Sequence, residues 1–355
     1  MTSPSPSTAA VSRNLGRTEA LLALLRSRKR LLVLTHNNPD PDSLGSGMGL
    51  RHFAAVAGQV ESVFGLSGKI LRAENQEMVA QLGIGMVPIG ELDPSQFDCV
   101  ALVDTQPGFG HTIVPEGCTV DIVIDHHVGD EERVPPTWQF DDVRSDIGAT
   151  SSVVATYFRE AGFTPSRDVA TALAYGIKTD TADLSRNVSE VDLRAYDFLF
   201  PHVDRQKLVA IMRPRLPEAY FQTLKEALRK VRRYEHVALC SLGTIGSAEM
   251  VAEVADLLLR MEGVTAVFCG GLVDCTYYVS VRTEIGGDAW RLIAHAMAGE
   301  KGTFGGHGSV AGGSITLPCG DTRTLRRLER RLERNILRSV GVAKSTPKGL
   351  VDKDD

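Results

Sequence analysis

The sequence predicts an α/β protein, in which a mostly parallel sheet flanked by helices is followed by a smaller α/β domain. In the first 200 residues, short apolar runs at 31–34, 100–103 and 122–124 alternate with stretches of helical periodicity. That alternation is typical of parallel strands joined by helices. A new series of strand and helix patterns begins at residue 237, and 355 residues suffice for two hydrophobic cores. We therefore expect two domains.

The first domain is expected to cover residues 15–200, after a disordered Ser/Pro-rich tail at 1–14. A leucine stripe predicts a helix over 19–29, ahead of the first strand. Further strands are expected near 60–64, 99–103 and 121–124, and helical spacing occurs at 43–57, 148–161, 169–178, 190–199 and 204–212. We expect residues 201–235 to form a helical connector between the domains.

The second domain is expected to cover residues 236–342. Its patterns predict a strand at 237–240, a helix at 247–261, a hairpin of strands 265–272 and 276–282, and helices at 289–298 and 322–340. The glycine-rich segment 302–313 lies between the last two helices and is compatible with a flexible turn. Residues 343–355 are expected to form a disordered tail.

The composition excludes some classes of protein but does not identify the function. The formal net charge of −5 gives no general attraction to nucleic acid or to an anionic membrane. No apolar run approaches the roughly 18 residues of a spanning helix, and the N-terminus lacks the apolar core of a signal peptide. The six cysteines are scattered without a C-x-x-C pair, so reduced thiols and a cytoplasmic protein are expected.

Acids and histidines follow three of the predicted strands. His36, Asp40 and Asp42 come after the strand at 31–34, Asp104 ends the second strand, and Asp125-His126-His127 ends the third. The carboxyl ends of parallel strands meet at one edge of a sheet, where ligands bind. Carboxylates gathered there need cations, and oxygen and imidazole donors without thiolate suit Mn²⁺, Mg²⁺ or Fe.

Each of these residues has a structural explanation when taken singly. Asp42-Ser43 before a helix is a natural N-cap, and an isolated histidine is more often a hydrogen-bonded structural residue than a ligand. Their joint occurrence at three strand ends favours a metal centre. Pro39 and Pro41 stiffen the loop, and two neighbouring cations sharing a carboxylate would suit phosphoryl displacement.

These motifs together resemble the DHH phosphoesterase family. The resemblance rests on residues 36–43 (HNNPDPDS), 103–105 (VDT), 125–127 (DHH) and 176–181 (GIKTDT). The segment 305–313 (GGHGSVAGG) resembles the signature of the DHH-associated C-terminal substrate domain. The motifs stand in the family's order between residues 28 and 340. The resemblance implies an active site in the cleft between two domains.

The resemblance also implies roles in a centre of two divalent cations, with Mn²⁺ the first choice and Mg²⁺ or Co²⁺ the alternatives. His36 and Asp40 would hold one cation, Asp104 would bridge, and Asp42, His126 and Asp180 would complete the second. Asp125 would orient a histidine. His127 would face the scissile phosphate as hydrogen-bond donor or general acid. Asp180 alone would be taken for a helix-terminal turn residue.

Substrate contacts are expected mainly in the second domain. Arg282, at the end of a predicted strand, corresponds to the arginine that grips a substrate phosphate in such enzymes, although a strand-end arginine is otherwise a surface charge. The glycine-rich segment would supply backbone donors to an anion, through Gly305, Gly306, His307, Gly308 and Ser309. Gly308 stands where the family commonly has proline, a departure that affects the shape of this pocket. Arg186 is a weaker candidate for a phosphate contact, and Lys178 could equally be solvated.

The expected activity is hydrolysis of short oligoribonucleotides, removal of the 3′-phosphate of pAp, or both. Hydrolysis of cyclic di-AMP or its linear product pApA is a close alternative, inorganic pyrophosphatase a remoter one, and a non-catalytic nucleotide-binding regulator belongs to another class. We expect no membrane partner and no stable long nucleic-acid partner, and leave a homodimer open. The last helix has seven arginines, but two interspersed glutamates and the lack of an aromatic residue favour a solvated face over a nucleic-acid surface.

Overall fold

The structure is a computed structural model that describes residues 16–128, 138–284 and 286–351, except for the side chain of His307. The predicted tail at 1–14 lies outside these ranges. The chain divides into two compact units, Met1–Pro214 and Arg215–Asp355. Of the residues expected to connect the domains, helix α7 (Arg205–Met212) belongs to the first unit and helix α8 (Glu218–Lys230) to the second.

The first unit is built on a six-stranded parallel sheet. Its strands are β1 (Arg30–Leu34), β2 (Glu61–Leu66), β3 (Val87–Pro88), β4 (Cys99–Val103), β5 (Ile122–Asp125) and β6 (Phe140–Val143). They lie in the order β3-β2-β1-β4-β5-β6, and every described pair is parallel. Strands β4 and β5 are buried along their whole length, and their residues up to Val103 and Ile124 form continuous apolar runs rather than alternating ones.

Seven helices of the first unit are described. They are α1 (Arg17–Arg26), α2 (Pro41–Phe53), α3 (Ala73–Leu82), α4 (Thr150–Glu160), α5 (Arg167–Asp180), α6 (Glu190–Leu199) and α7. Helix α2 begins at the metal-motif loop, because Asp40 is its N-cap and accepts the Ser43 amide at 2.9 Å. Gly47 of α2 faces the Phe64 ring, and a Cβ there would come within 2.3 Å of it. This close packing sets α2 directly against the sheet.

The second unit has a mixed seven-stranded sheet. Its strands are β7 (Arg232–Tyr234), β8 (Val237–Thr244), β9 (Ala266–Val273), β10 (Thr276–Thr283), β11 (Thr303–His307), β12 (Val310–Thr316) and β13 (Lys348–Gly349). The order is β11-β12-β10-β9-β8-β7-β13, with β8 and β9 parallel and the other pairs antiparallel. Helix α9 (Glu249–Leu259) packs with the core on one face of this sheet, and helices α10 (Ala289–Ala296) and α11 (Thr322–Ser339) pack on the other.

The predicted α/β architecture is confirmed, with a parallel sheet in the first unit and a second unit that has its own sheet. The glycine-rich segment is a hairpin rather than a flexible loop, because β11 and β12 pair from Thr303–Ser314 to His307–Val310. The expectation of reduced thiols is wrong for Cys275 and Cys319, which form a disulfide with Cα atoms 4.8 Å apart. No described helix is long and apolar enough to cross a bilayer.

Candidate metal centre

The loops that follow β1, β4 and β5 bring the predicted metal ligands together. His36 and Asp40 lie in the loop after β1, Asp104 follows β4, and His126 follows β5. Asp104 has left-handed backbone torsions, with φ of +59°, and its amide donates to the Ile124 carbonyl of the neighbouring strand. A non-glycine residue rarely adopts this conformation, although aspartate does so more readily than most, and residues of this kind cluster at functional sites.

Asp104 lies at the centre of the cluster and is 2% exposed. The Ser43 hydroxyl donates to Asp104 Oδ2 at 2.6 Å, and the Thr150 hydroxyl donates to Oδ1 at 2.9 Å. His36 Nε2 lies 3.6 Å from Oδ2, while His126 Nε2 lies 3.6 Å from Oδ1. The two carboxylate oxygens therefore face different histidines, as a bridging ligand requires.

Both histidines have one ring nitrogen occupied by a backbone carbonyl. His36 Nδ1 is 2.9 Å from the Asn37 carbonyl, and His126 Nδ1 is 3.2 Å from the Ile147 carbonyl. A proton on each Nδ1 satisfies these contacts, so Nε2 is the ring nitrogen that faces the carboxylates and could ligate a cation. His126 Nε2 is buried without a hydrogen-bond partner and lies 3.1 Å from Asp180 Oδ2.

Asp42 and Asp180 complete the cluster from two helices. Asp42 lies in the first turn of α2, and its carboxylate accepts the amides of Thr150 and Ser151 at 2.7 and 2.9 Å. These amides belong to the N-terminus of α4, whose positive end favours an anion. Asp180 is the last residue of α5, so the helix end that looked like an ordinary turn delivers a carboxylate to His126.

Three groups of side chains could each hold a cation. They are His36, Asp40 and Asp104; Asp42, His126 and Asp180; and Asp104, His126 and His127, with the donor atoms of each group within 4.8 Å of one another. The first two are the sets expected from the sequence, and Asp104 lies beside both. The third offers His127 as an alternative ligand to the catalytic role expected for it.

Asp125 and His127 form a separate hydrogen-bonded pair beside the cluster. His127 Nδ1 lies 2.8 Å from Asp125 Oδ1, and Asp125 is fully buried. Gln106 donates to Asp125 Oδ2 at 2.7 Å and to the His127 carbonyl at 2.9 Å. The sequence analysis did not identify Gln106, nor Thr150 and Ser43 as partners of Asp104. Only their position beside the motifs could have indicated them.

The pKa values show how strongly this cluster favours positive charge. Burial, followed by the charges of nearby carboxylates, raises the pKa of Asp40 and of Asp42. Burial opposes protonation of His36, but Asp104 and Asp40 outweigh it and raise the His36 pKa to about 10. In the same way, Asp180, Asp104 and Asp42 outweigh burial and raise the His126 pKa to about 11.

Asp104 shows the opposite shift. Burial alone would raise its pKa, but His36, His126 and His127 lower it well below its usual range. An anionic carboxylate surrounded by acids and imidazoles is thus maintained by local positive charge. A buried imidazole nitrogen without a partner, set among carboxylate oxygens, fits divalent cations of the Mn²⁺ or Mg²⁺ type.

Unlike the predicted metal ligands, the residues expected to contact substrate do not form a single cluster in the structure. Arg282, on β10, donates to Asp256, to the Ser280 hydroxyl at 2.6 Å and to the Val281 carbonyl at 3.1 Å. Its guanidinium is therefore engaged within the second unit. In the backbone register, Arg282 pairs with Val310, which pairs with His307.

The hairpin glycines differ in what their backbones require. Gly306 has φ of +149°, and a Cβ added there would come within 2.4 Å of the Ala311 backbone; Gly308 has φ of +52° in the turn with Ser309. Gly305 has open space where a Cβ would stand. The contacts of the His307 side chain lie outside what the structure describes. In the first unit, Arg186 lies in the turn after α5, 3.5 Å from the Asp180 carbonyl, and Lys178 pairs with Asp183.

The first unit is an α/β fold that gathers carboxylates and histidines able to hold metal ions at the carboxyl ends of parallel strands. Residues 30–177 match the DHH family, N-terminal domain, and residues 235–334 match the DHHA1 domain. The chain therefore has a DHH-family N-terminal domain followed by a DHHA1 domain.

Two curated proteins are similar to this chain in sequence. The uncharacterized protein MJ1633 of Methanocaldococcus jannaschii is 33% identical over 319 residues, which are 88% of this chain and 64% of that protein. This chain thus spans less than two thirds of that relative. A probable manganese-dependent inorganic pyrophosphatase of Streptococcus suis is 27% identical over 46% of this chain and 51% of its own length.

A solved structure shares the fold. The crystal structure of an exopolyphosphatase-related protein from Bacteroides fragilis superposes with a TM-score of 0.69, covering 90% of this chain and 97% of that one. The sequences are 17% identical, so the likeness concerns the fold alone.

Proposed function

We propose that this protein is a phosphohydrolase that uses two divalent cations, Mn²⁺ foremost, and acts on short nucleotides. The observation that supports it most is the position of Asp104, whose two oxygens face His36 and His126 in the two ligand groups. A carboxylate in that place can bridge two cations. His36 and Asp40 would hold one cation, and Asp42, His126 and Asp180 the other.

The protein's own residues would orient the reaction. Two such cations, when bound, supply a hydroxide nucleophile near neutral pH and stabilise the oxygens of an in-line displacement. Asp125 accepts from His127 Nδ1 and so holds the imidazole with Nε2 available toward a phosphate. Gln106 fixes Asp125 in turn. In this role, His127 donates a hydrogen bond or a proton to the charge that develops on the leaving group.

The substrates we propose are oligoribonucleotides of a few nucleotides and the 3′-phosphate of pAp. The planar guanidinium of Arg282 can donate two hydrogen bonds to a distal phosphate. The hairpin around Gly306 and Gly308 can bring backbone donors near an anion. The named relatives point to a second candidate, hydrolysis of pyrophosphate or of polyphosphate. Cyclic di-AMP and pApA remain the alternative within the nucleotide class, and a non-catalytic regulator the alternative outside enzymes.

The deciding experiment is an activity screen with Mn²⁺ over pAp, pApA, cyclic di-AMP, RNA of two to about twenty nucleotides, pyrophosphate and polyphosphate. We expect the highest kcat/KM for pAp or the shortest RNA. Preference for pyrophosphate or polyphosphate would replace the nucleotide proposal. No turnover of any substrate by metal-loaded protein would leave the regulator as the remaining function.

The Arg282→Ala variant tests the distal-phosphate role. It should still hydrolyse a small activated phosphodiester but lose roughly tenfold to a hundredfold in kcat/KM on pAp and dinucleotides, because one charged contact is lost. The Asp256→Asn variant is the matched control, since it removes the partner of Arg282 and leaves the guanidinium in place. Equal loss on all substrates, or on none, would show that Arg282 does not hold the distal phosphate.

A further inference from the structure

One face of helix α11 is a stripe of arginines. At 100° per residue, Arg323, Arg326, Arg330, Arg334 and Arg338 fall within an arc of about 120° and extend about 22 Å along the helix. All five are exposed, and their side chains have no hydrogen-bond or ion-pair partner in the part of the chain that the structure describes. Arg331, by contrast, pairs with Glu300, and Arg327 lies near enough to Asp321 to lower the pKa of that carboxyl.

The two glutamates of α11 do not neutralise this stripe. Glu329 accepts from the Ser241 hydroxyl on β8, and Glu333 accepts from the Tyr234 hydroxyl and pairs with Arg232, both on β7. Their carboxylates are therefore turned to the sheet. The first objection to a nucleic-acid surface, which was the interspersed acids, does not hold in the folded protein.

A cavity of about 230 Å³ lies between α11 and the sheet, at the centre of the stripe. The buried residues Phe268, Tyr277 and Val279 of β9 and β10 line it on the side of the sheet, and Arg326 and Arg330 line it on the side of the helix. Pockets that enclose a whole drug-sized ligand measure about 300–1,000 Å³, so this one suits a single planar ring system. Two aromatic side chains thus lie beneath the stripe, although the helix itself has none.

We propose that the exposed face of α11 binds a single-stranded oligonucleotide, with its phosphates along the arginine stripe and one base in the cavity. Arginines one turn apart on a helix can each meet a phosphate of an extended strand. The aromatic lining then offers stacking to a base, as in other proteins that bind single strands. This site lies wholly within the second unit and does not depend on the proposed catalytic activity.

The occupant is a nucleotide strand rather than inorganic polyphosphate, for two reasons. Polyphosphate would use the arginines but would leave the aromatic side of the cavity without a partner. The carboxylate of Glu329 also lines the cavity, and it would accept from a base amino group but repel a bare phosphate. The surface should therefore recognise backbone charge and a base together, without strong sequence preference.

The test measures binding of a fluorescent single-stranded octanucleotide by anisotropy at several salt concentrations. The protein is the full chain with Asp104→Asn, so that the probe is not hydrolysed. Replacing Arg326 and Arg330 by alanine should weaken binding roughly tenfold near 0.1 M salt and flatten the slope of log affinity against log salt by about 1.4, or 0.7 per phosphate contact. Arg260→Ala, which removes an exposed arginine elsewhere in the second unit, should change neither quantity.

Two further probes test the occupant. An octamer with an abasic backbone should bind roughly tenfold more weakly than the base-bearing strand, because stacking is lost. Inorganic polyphosphate of equal charge should compete poorly. Unchanged affinity and salt slope in the Arg326/Arg330 variant would overturn the site. Equal binding of abasic and base-bearing strands, or equal competition by polyphosphate, would overturn the assignment to nucleotides. Arg326, Arg330 and Arg260 are exposed, so replacing them should leave the circular dichroism spectrum of the Asp104→Asn protein unchanged.

Discussion

Asp142 and Asp104 are both buried carboxylates on the parallel sheet, but they are compensated differently. Asp142, on β6, accepts two hydrogen bonds of 2.7 Å from Arg144 and one of 2.7 Å from the Tyr157 hydroxyl, and it also pairs with Arg17. Asp104 accepts two hydroxyls and faces imidazoles. Among the described residues, no arginine or lysine pairs with Asp104, Asp40 or Asp42.

The way each carboxylate is compensated distinguishes a structural ion pair, at Asp142, from a candidate binding site, at Asp104. A buried charge must be paired or must coordinate a metal. At Asp142 the chain supplies the positive charge itself, and nothing further is required. At Asp104 the chain gathers more negative charge than it compensates, so the deficit must be met by protons on His36 and His126 or by cations.

The largest effect that would test this comparison is expected from Asp104→Asn. Loss of the shared carboxylate should remove at least one cation and lower kcat by about 1,000-fold or more, since metal-derived stabilisation amounts to several kcal/mol. Elemental analysis of the purified variant and steady-state kinetics are the measurements. Two tightly bound cations with near-normal turnover would contradict the bridging role.

The opposite outcome is expected for Asp142→Asn. Removing this carboxylate leaves Arg144, whose side chain is 19% exposed, without its partner, and should lower the free energy of unfolding by about 3 kcal/mol. Metal content and the activity per folded molecule should stay unchanged. Urea unfolding of the metal-free protein followed by circular dichroism measures the loss. A loss of metal without a loss of stability would show that the two carboxylates are not different in kind.

A smaller and more selective effect is expected for His127→Gln. This residue pairs with Asp125 at the margin of the cluster, so its replacement should lower kcat about 100-fold while both cations remain bound. The KM should change little. If the variant instead loses a cation, His127 acts as a ligand in the group that it forms with Asp104 and His126. A raised KM at unchanged kcat would assign it to uniform substrate binding.

The smallest expected effect is the release of protons from His36 and His126 when the cations bind. In the metal-free protein, the raised pKa values of His36 and His126, about 10 and 11, keep both imidazoles charged at pH 7.5. Their protonation stabilises the fold fully below about pH 6.5 and is lost as the pH rises through those values. Ligation needs the neutral rings, so loading with Mn²⁺ should release about two protons and tighten as the pH rises.

Titration calorimetry in two buffers of different ionisation enthalpy counts the protons released on loading. The His36→Asn variant should release about one fewer. Release of less than one proton by the parent protein would mean that these histidines are not the groups displaced by metal.

Much of the metal centre could be predicted from local sequence. The apolar runs ending in Asp104 and Asp125 identify buried parallel strands, and strands of that type bring their carboxyl ends to one edge. Asp180 is different, because nothing local distinguishes it from a helix-terminal turn residue, and only the family motif indicated it. Thr150 and Gln106 were not found, since their roles depend on which atom each side chain reaches.

The second unit depended more on tertiary structure. The glycine-rich segment lacks the alternation of a strand, and it becomes one because β12 pairs with β10 on one side and β11 on the other. The disulfide forms because the turn after β9 and the segment before α11 bring Cys275 and Cys319 together. Neither contact leaves a pattern in sequence.

The sequence by itself determined the α/β class, strands β1, β2, β4, β5, β8, β9 and β10 with most of the helices, and the carboxylates at the strand ends, because hydrophobic periodicity is a local property of the chain. The tertiary structure alone decided which charges are compensated. In the sequence, nothing distinguishes the environment of Asp142 from that of Asp104. The sequence also places two glutamates among the arginines of α11, and only the folded protein shows that these glutamates bond to the sheet. Compensation depends on distances of a few ångströms between residues far apart in the chain, and only the folded protein sets those distances.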